Sequence, residues 1–363
     1  MLLLEQQEKK AKKGSKKLIF NLLYIGLTIG IILGYGLLNP ELNGVLNVIG
    51  DLSPIWMLIA IGVLLIHWGS STMSLRMFVK GVGENISFRH AIKVTMIGCY
   101  YSAITPFASG GQPIQVMYLK RDGIPVGKSS CVFSLKFIVF QLTMCLYFIV
   151  GMILRGGYYY AAHPEIFWLT VLGIVINATM MALVIFVIIS KVKTLMFATK
   201  VINFLAKIKL VKRPEQTLLS VTKTLDEYHA SSKYIGTNLV MMIKGLMYST
   251  LEMGAYFFIT YCIYRALGLQ GSGVIDIVFL QAFLYLTVSF VPLPGAALAS
   301  EGGFFIFFNV LFPGAQLIYV AMLIWRLFTY YSNLLVGAGF VLTDSLMSVF
   351  KKKKVPVESD TPS

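Results

Sequence analysis

Charge is scarce in this chain. Only 13% of its 363 residues are charged, about half the share of roughly 25% in an ordinary soluble domain, so a water-soluble enzyme built on one buried core is excluded. Acids are the scarcer sign, 16 against 31 lysines and arginines. Cysteine is confined to Cys99, Cys131, Cys145 and Cys262, all in apolar segments and none in Cys-x-x-Cys spacing. Such thiols read as buried and inert, which excludes a disulfide framework and a cysteine-based metal site. No metal and no cofactor is expected.

What the chain has instead is apolar length. Hydrophobic residues make up 57% of it, against about 45–50% in a typical soluble domain. Several runs reach about 20 residues, enough to cross roughly 30 Å of hydrocarbon as helix. The fold expected is an all-α, polytopic membrane protein. The net charge of +15 does not point to nucleic acid, because the basic residues gather between the apolar runs, where they act as cytoplasmic anchors.

That clustering fixes a topology. A basic leader, 1–17, precedes a first span at Leu18–Leu38 and a second at Ile55–Leu75. Asn39–Pro54 between them has acids and no basic residue, so it lies outside. Further spans are Ser129–Leu154, Ile166–Ile189, Tyr234–Ala266 and Ala315–Leu342, with Arg155–Glu165 as a short outside loop. Lys191–Lys233 carries nine basic and three acidic residues and lies inside, as does the tail 343–363.

Two apolar stretches remain. The segment 91–119 is flanked on both sides by inside charge and broken at Pro106 and Gly110-Gly111. The segment 274–313 is flanked by outside loops and broken at Pro292, Pro294 and Gly302-Gly303. Each is read as a re-entrant hairpin. The eight hydrophobic segments then make six full spans and two oppositely oriented hairpins, with 26 of the 31 basic residues inside. The halves 18–154 and 166–342 form an inverted-topology repeat, whose broken helices mark a site near the midplane. The breakers resemble each other, Ala108-Ser109-Gly110-Gly111 in the first and Ala299-Ser300-Glu301-Gly302-Gly303 in the second.

Freed backbone in hydrocarbon persists only where protein or a wet cavity surrounds it. At Ser109, Gly110, Gly111 and Gln112 a short helix is expected to start, with Pro113 in its first turn and its N–H groups facing the cavity. In the second break Ser300 is expected to cap a helix beginning near Gly302. Ionisable residues inside a span default to function, since insertion costs each at least about 2.5–3.5 kcal/mol. Lys136, Glu252, Glu301 and Arg326 are therefore candidates for a head-group site. Arginine would take phosphate oxygens and a carboxylate an ammonium. Lys244 is read as snorkelling and His67 as a packing or hydrogen-bonding residue. Replacing Arg326 or Glu301 is expected to lower transport with folding largely intact. In the inside loop Val201, Ile202, Leu205 and Ile208 interleave with Lys200, Lys207 and Lys209. That pattern fits a helix on an anionic lipid surface, or one packed on the bundle.

The run Gly110-Gly111-Gln112-Pro113-Ile114-Gln115, followed by Leu119-Lys120-Arg121-Asp122-Gly123-Ile124, resembles the lysylphosphatidylglycerol synthase transmembrane (flippase-like) family. Lys136, the run from Pro292 to Glu301, and Arg326 within Trp325-Arg326-Leu327-Phe328-Thr329-Tyr330-Tyr331 agree in order and spacing. Two glycine positions of the family's second break hold Ala296 and Leu298 here. The resemblance spans roughly residues 18–345. It implies a multi-pass cell-membrane protein with both termini cytoplasmic, a part in lipid metabolism and antibiotic resistance, and movement of lysyl-phosphatidylglycerol or a related anionic or aminoacylated phospholipid between leaflets. Fuller members join such a membrane domain to a soluble domain that charges phosphatidylglycerol with lysine. The family name therefore also raises phosphatidylglycerol lysyltransferase, although the soluble segment 191–233 holds no nucleophile–base constellation and is short for an independent domain. A carrier of polyprenyl phosphate or of small solutes is the third alternative.

Overall fold

The computed structural model of the protein describes residue 30 and residues 45–353, apart from 209, 210, 212, 237 and 290. The leader 1–17, the first span Leu18–Leu38 except Gly30, and the end of the tail lie outside the described residues. Every regular element among the described residues is helical. In order they are α1 (Val45–Gly50), α2 (Pro54–Gly81), α3 (Phe88–Ala103), α4 (Gly111–Arg121), α5 (Val126–Ala162), α6 (Pro164–Ile189), α7 (Lys191–Lys207), α8 (Pro214–Gly236), α9 (Leu239–Ala266), α10 (Val274–Val288), α11 (Ala299–Phe308), α12 (Ala315–Arg326) and α13 (Ser332–Lys353). Short 3-10 turns at Pro106–Ala108 and Pro294–Ala296 separate α3 from α4 and α10 from α11.

Local chemistry sets these boundaries. Proline opens α2 and α6, where its missing N–H costs nothing. Ser87 caps α3 by accepting from the His90 N–H at 3.2 Å, and Asn238 caps α9 by accepting from the Met241 N–H at 3.0 Å. α2, α5 and α6 are each long and apolar enough to cross a bilayer. α9 has 28 residues, enough length, but carries Lys244, Glu252 and Arg265. α12 continues into α13 through a π turn at Leu327–Tyr331.

Three sequence-based boundaries are corrected. The expected outside loop Arg155–Glu165 is mostly helix, because α5 runs on to Ala162 and only His163 separates it from α6. The expected span from Tyr234 is two helices, because α8 ends at Gly236 and the Asn238 side chain starts α9 afresh. The segment 191–233, expected to be an inside loop carrying one amphipathic helix, holds two helices, α7 packed against α8.

α2 and α9 form the most extensive helix pair and the axis of the molecule. Around it the two halves repeat: a long helix, a second helix, a 3-10 turn, a short helix and another long helix. Their packing repeats too, since α3 lies on α13 while α10 lies on α5. Glycine permits the closest of these contacts. A Cβ on Gly337 of α13 would sit 2.6 Å from the Met96 carbonyl oxygen of α3.

Candidate functional site

The two breaks open with the same four-residue backbone turn and then diverge, Ser109 and Gly110 being helical where Ala297 is extended and Leu298 left-handed. Thr105 (φ −120°, ψ 144°) and Leu293 (φ −115°, ψ 145°) are extended, as a residue before proline prefers. The next residues turn left-handed: Phe107 (φ 55°) and Ala108 (φ 52°) in one break, Gly295 (φ 61°) and Ala296 (φ 47°) in the other. Pro106 thus corresponds to Pro294 and Gly111 to Ala299. Proline and the left-handed pair define this correspondence, which sets Ala108 against Ala296, so the resembling small-residue runs do not fall on matching positions. Leu298 is left-handed as well (φ 67°). Left-handed backbone costs an L-residue roughly 1–2 kcal/mol, and such strain gathers where function over-determines a conformation. The two turns pack against each other.

Beside them lies a cavity of about 810 Å³, within the range of roughly 300–1,000 Å³ typical of small-molecule sites. Lys136, on α5, reaches into it. Its Nζ donates to the Ser71 backbone oxygen at 3.0 Å and to Ser71 Oγ at 2.6 Å, and lies 3.8 Å from Glu252 Oε2 of α9. His67 of α2 bonds the Glu252 carbonyl oxygen at 2.8 Å; because a carbonyl only accepts, the proton is on Nδ1. The Lys136–Glu252 pair is therefore loose and partly open to the cavity.

The second pair is different. Arg326 Nε donates to Glu301 Oε1 at 2.6 Å, and its Nη2 donates to the Gly295 carbonyl at 3.1 Å. The guanidinium also lies over the Tyr330 ring at 4.9 Å. Both charged residues are buried, at 5% and 6% exposure. Arg326 thus holds α12 to the second break and to the first turn of α11, where a carboxylate also meets the helix dipole. Because the pair is buried and bonded into the second break, replacing either residue bears on the fold, contrary to the expectation that folding would be spared.

Of the sequence-predicted site residues, Gln112, Lys136, Glu252, Ser300 and Arg326 line the cavity. Ser109, Gly110, Gly111 and Glu301 are not part of that lining, and Ser109 is exposed while Gly111 and Glu301 are buried. Ser109 Oγ donates to the Pro106 carbonyl at 2.8 Å, and the Gly110 N–H donates to Thr105 Oγ1 at 2.9 Å. A Cβ on Gly111 would lie 2.8 Å from the Gly98 oxygen, so this glycine sets the approach of α4 to α3. Ser300 does not cap α11. Left-handed Leu298 precedes the helix, no side chain caps it, and Ser300 lies within its first turn.

Sequence reasoning missed four wall groups. Thr95 Oγ1, Gln141 Oε1, Gln281 Nε2 and Trp325 Nε1 are buried with no hydrogen-bond partner, and all four residues line the cavity. Buried polar atoms are normally satisfied, so these four are exceptions within the packed wall of the cavity. The signal was present: Gln141 and Gln281 are amides inside otherwise apolar runs. Among the described residues no cluster of three metal-ligating side chains occurs.

Residues 22–337 match the family described as the lysylphosphatidylglycerol synthase TM region. The chain belongs to that family. A UPF0104 membrane protein of Archaeoglobus fulgidus is similar, 25% identical over 310 residues that cover 83% of this chain and 90% of that protein. No solved structure matches. The match makes the chain a helical membrane protein of the lysylphosphatidylglycerol synthase TM region family. Ala296 (φ 47°) and Leu298 (φ 67°), where the resemblance led glycines to be expected, hold φ values that glycine adopts freely.

Proposed function

We propose that the protein moves a phospholipid between the leaflets of the cell membrane by passing the head group through the cavity while the acyl chains stay in lipid. In this reading the first span, α2, α5, α6, α9 and α12–α13 cross the bilayer. The breaks between α3 and α4 and between α10 and α11 enter from opposite faces, and both termini are cytoplasmic. The observation that carries the reading is the meeting of two left-handed breaks beside a charged cavity with unpartnered polar walls. Such backbone survives at membrane depth only inside protein or against a wet cavity, and discontinuous helices at matching places are where transporters bind.

The substrate class follows from the charges. Lys136, loosely paired, takes the phosphodiester, and Glu252 takes an ammonium when the head group has one, as in an aminoacylated phosphatidylglycerol. Arg326 holds the wall. The test is translocation in proteoliposomes, read as loss of fluorescence from labelled lipid reached by an impermeant reductant. Wild-type protein is expected to expose labelled phosphatidylglycerol or its lysyl ester from the inner leaflet, and Lys136→Met to abolish this while purifying normally. Equal rates in protein-free vesicles, or an unimpaired Lys136→Met, would overturn the proposal.

A further inference from the structure

The hairpin of α7 and α8 stands apart from the cavity, and its two helices present opposite chemistry. α8 is seated on α5. A Cβ on Gly127 would lie 2.6 Å from the Thr224 carbonyl oxygen, Tyr228 is buried in the core around Cys131 and Val132, and Ser232 Oγ donates to Cys131 Sγ at 3.3 Å. The outward face of α8 is mostly polar, with Glu215, Gln216, Ser220, Lys223 and Asp226 exposed. α7 is joined to α8 by Ile202 and by the Lys191–Asp226 ion pair at 2.8 Å.

The outward face of α7 is not polar. Phe197, Val201, Phe204 and Ile208 recur at the spacing of one helical face, and all four are exposed, Phe197 by 70% and Phe204 by 62%. Lys193, Lys200 and Lys207 are exposed along the edge of that face, and α7 contains no acid. The sequence pattern suggested an amphipathic helix with Val201, Ile202, Leu205 and Ile208 as its apolar residues, of which Val201 and Ile208 do lie on the exposed strip. The structure turns Ile202 inward and leaves a separate aromatic strip outside. Within one hairpin, water suits α8 and does not suit α7.

We infer that α7 lies in the cytoplasmic surface of the anionic leaflet, its phenylalanines among the upper acyl chains and its lysines on lipid phosphates. Three features of the helix point there together: the exposed apolar strip, the one-sign charge beside it, and its start one residue after α6. Basic amphipathic helices bind membranes in this manner, and no other occupant accounts for the lysine row. The docked hairpin would tie the leaflet surface, through α8, to the end of α5 that leads to Lys136. The inference does not depend on what the cavity carries.

The experiment is tryptophan fluorescence of full-length Phe204→Trp, with the wild-type signal subtracted. The protein is reconstituted in vesicles of phosphatidylcholine alone or of phosphatidylcholine with phosphatidylglycerol. Lipids brominated near the head group are expected to quench the added tryptophan, more strongly when phosphatidylglycerol is present, while aqueous iodide does not. Adding Lys200→Glu and Lys207→Glu is expected to lower the docking equilibrium by roughly tenfold and to restore iodide quenching. Iodide quenching of the lysine-intact protein would show a solvated helix. Protection from both quenchers would show a protein partner or a second copy on the face. Bromolipid quenching equal in the two vesicles would show apolar docking without charge recognition. Each of these three results overturns the inference.

Discussion

Arg326→Met separates the two ion pairs. Arg326 and Glu301 are almost wholly buried, Glu301 Oε2 has no hydrogen-bond partner, and Oε1 depends on the Arg326 Nε bond. Removing the guanidinium leaves a buried carboxylate uncompensated, which costs about 3–5 kcal/mol. The Gly295 carbonyl loses its donor as well. In thermal unfolding of the detergent-purified protein this corresponds to a fall in Tm on the order of 10 °C. Adding Glu301→Gln removes the stranded charge, so the double variant is expected to regain about 2 kcal/mol, a non-additivity of the kind neighbouring groups show. Lys136→Met is the control. Its side chain is 20% exposed and its carboxylate partner 3.8 Å away, so its Tm is expected to stay near wild type, within about 1 kcal/mol. Arg326→Met as stable as Lys136→Met, or a double variant no better than the single, would refute the assignment of one pair to structure and the other to ligand.

Other perturbations follow from the breaks and their surroundings. Ala296→Gly and Leu298→Gly relieve left-handed strain of roughly 1–2 kcal/mol against a glycine entropy cost of about 0.5–1 kcal/mol, so each is expected to leave Tm unchanged or slightly raised. Gly295→Ala is expected to lower it, since its Cβ would lie 2.1 Å from Tyr330 Cε2. Asp344 binds Lys93, Tyr118 at 2.8 Å and Arg121 at 3.4 Å, tying α13 to α3 and α4. Burial pushes its carboxyl up, but the bonds from Lys93 and Tyr118 and the charges of Lys93 and Arg121 outweigh it and hold it below the usual carboxylate range. With the folded value depressed, the stabilisation is present above the ordinary aspartate value near about 4 and is lost as pH falls through the folded one. Asp344→Asn is therefore expected to lower stability at neutral pH and to flatten its acid dependence in pH-resolved unfolding. Gln141→Leu and Gln281→Leu are each expected to lower stability by about 1–3 kcal/mol in thermal unfolding, because Gln141 Nε2 donates to the Asn177 carbonyl at 2.8 Å and Gln281 Oε1 accepts from Thr260 at 2.8 Å.

Much of this was legible in residues. Pro106 and Pro294 marked both breaks, because proline removes a donor and forces its predecessor out of helix. Lys136, Glu252, Glu301 and Arg326 were legible because charge in an apolar run is expensive. Other features were not. Which pair is loose depends on Ser71, Gly295 and Tyr330, brought in from distant elements by tertiary packing. Ser109, Gly110 and Gly111 carried a conspicuous motif, yet they shape the turn and the approach of α4 to α3 without lining the cavity. The start of α9 was overlooked although Gly236-Thr237-Asn238 offered a glycine break followed by a capping residue. On α7 periodicity gave the helix but not which of its two apolar strips turns inward.

The central claim is that a phospholipid head group occupies the cavity beside the paired breaks. Benzoylphenylalanine introduced at position 137, which lines that cavity, tests it most directly by photo-crosslinking in native membranes followed by mass spectrometry. An adduct with the mass of a glycerophospholipid, lost when Lys136→Met is added, is the result expected. No lipid adduct at position 137, or one indifferent to Lys136, would contradict the account.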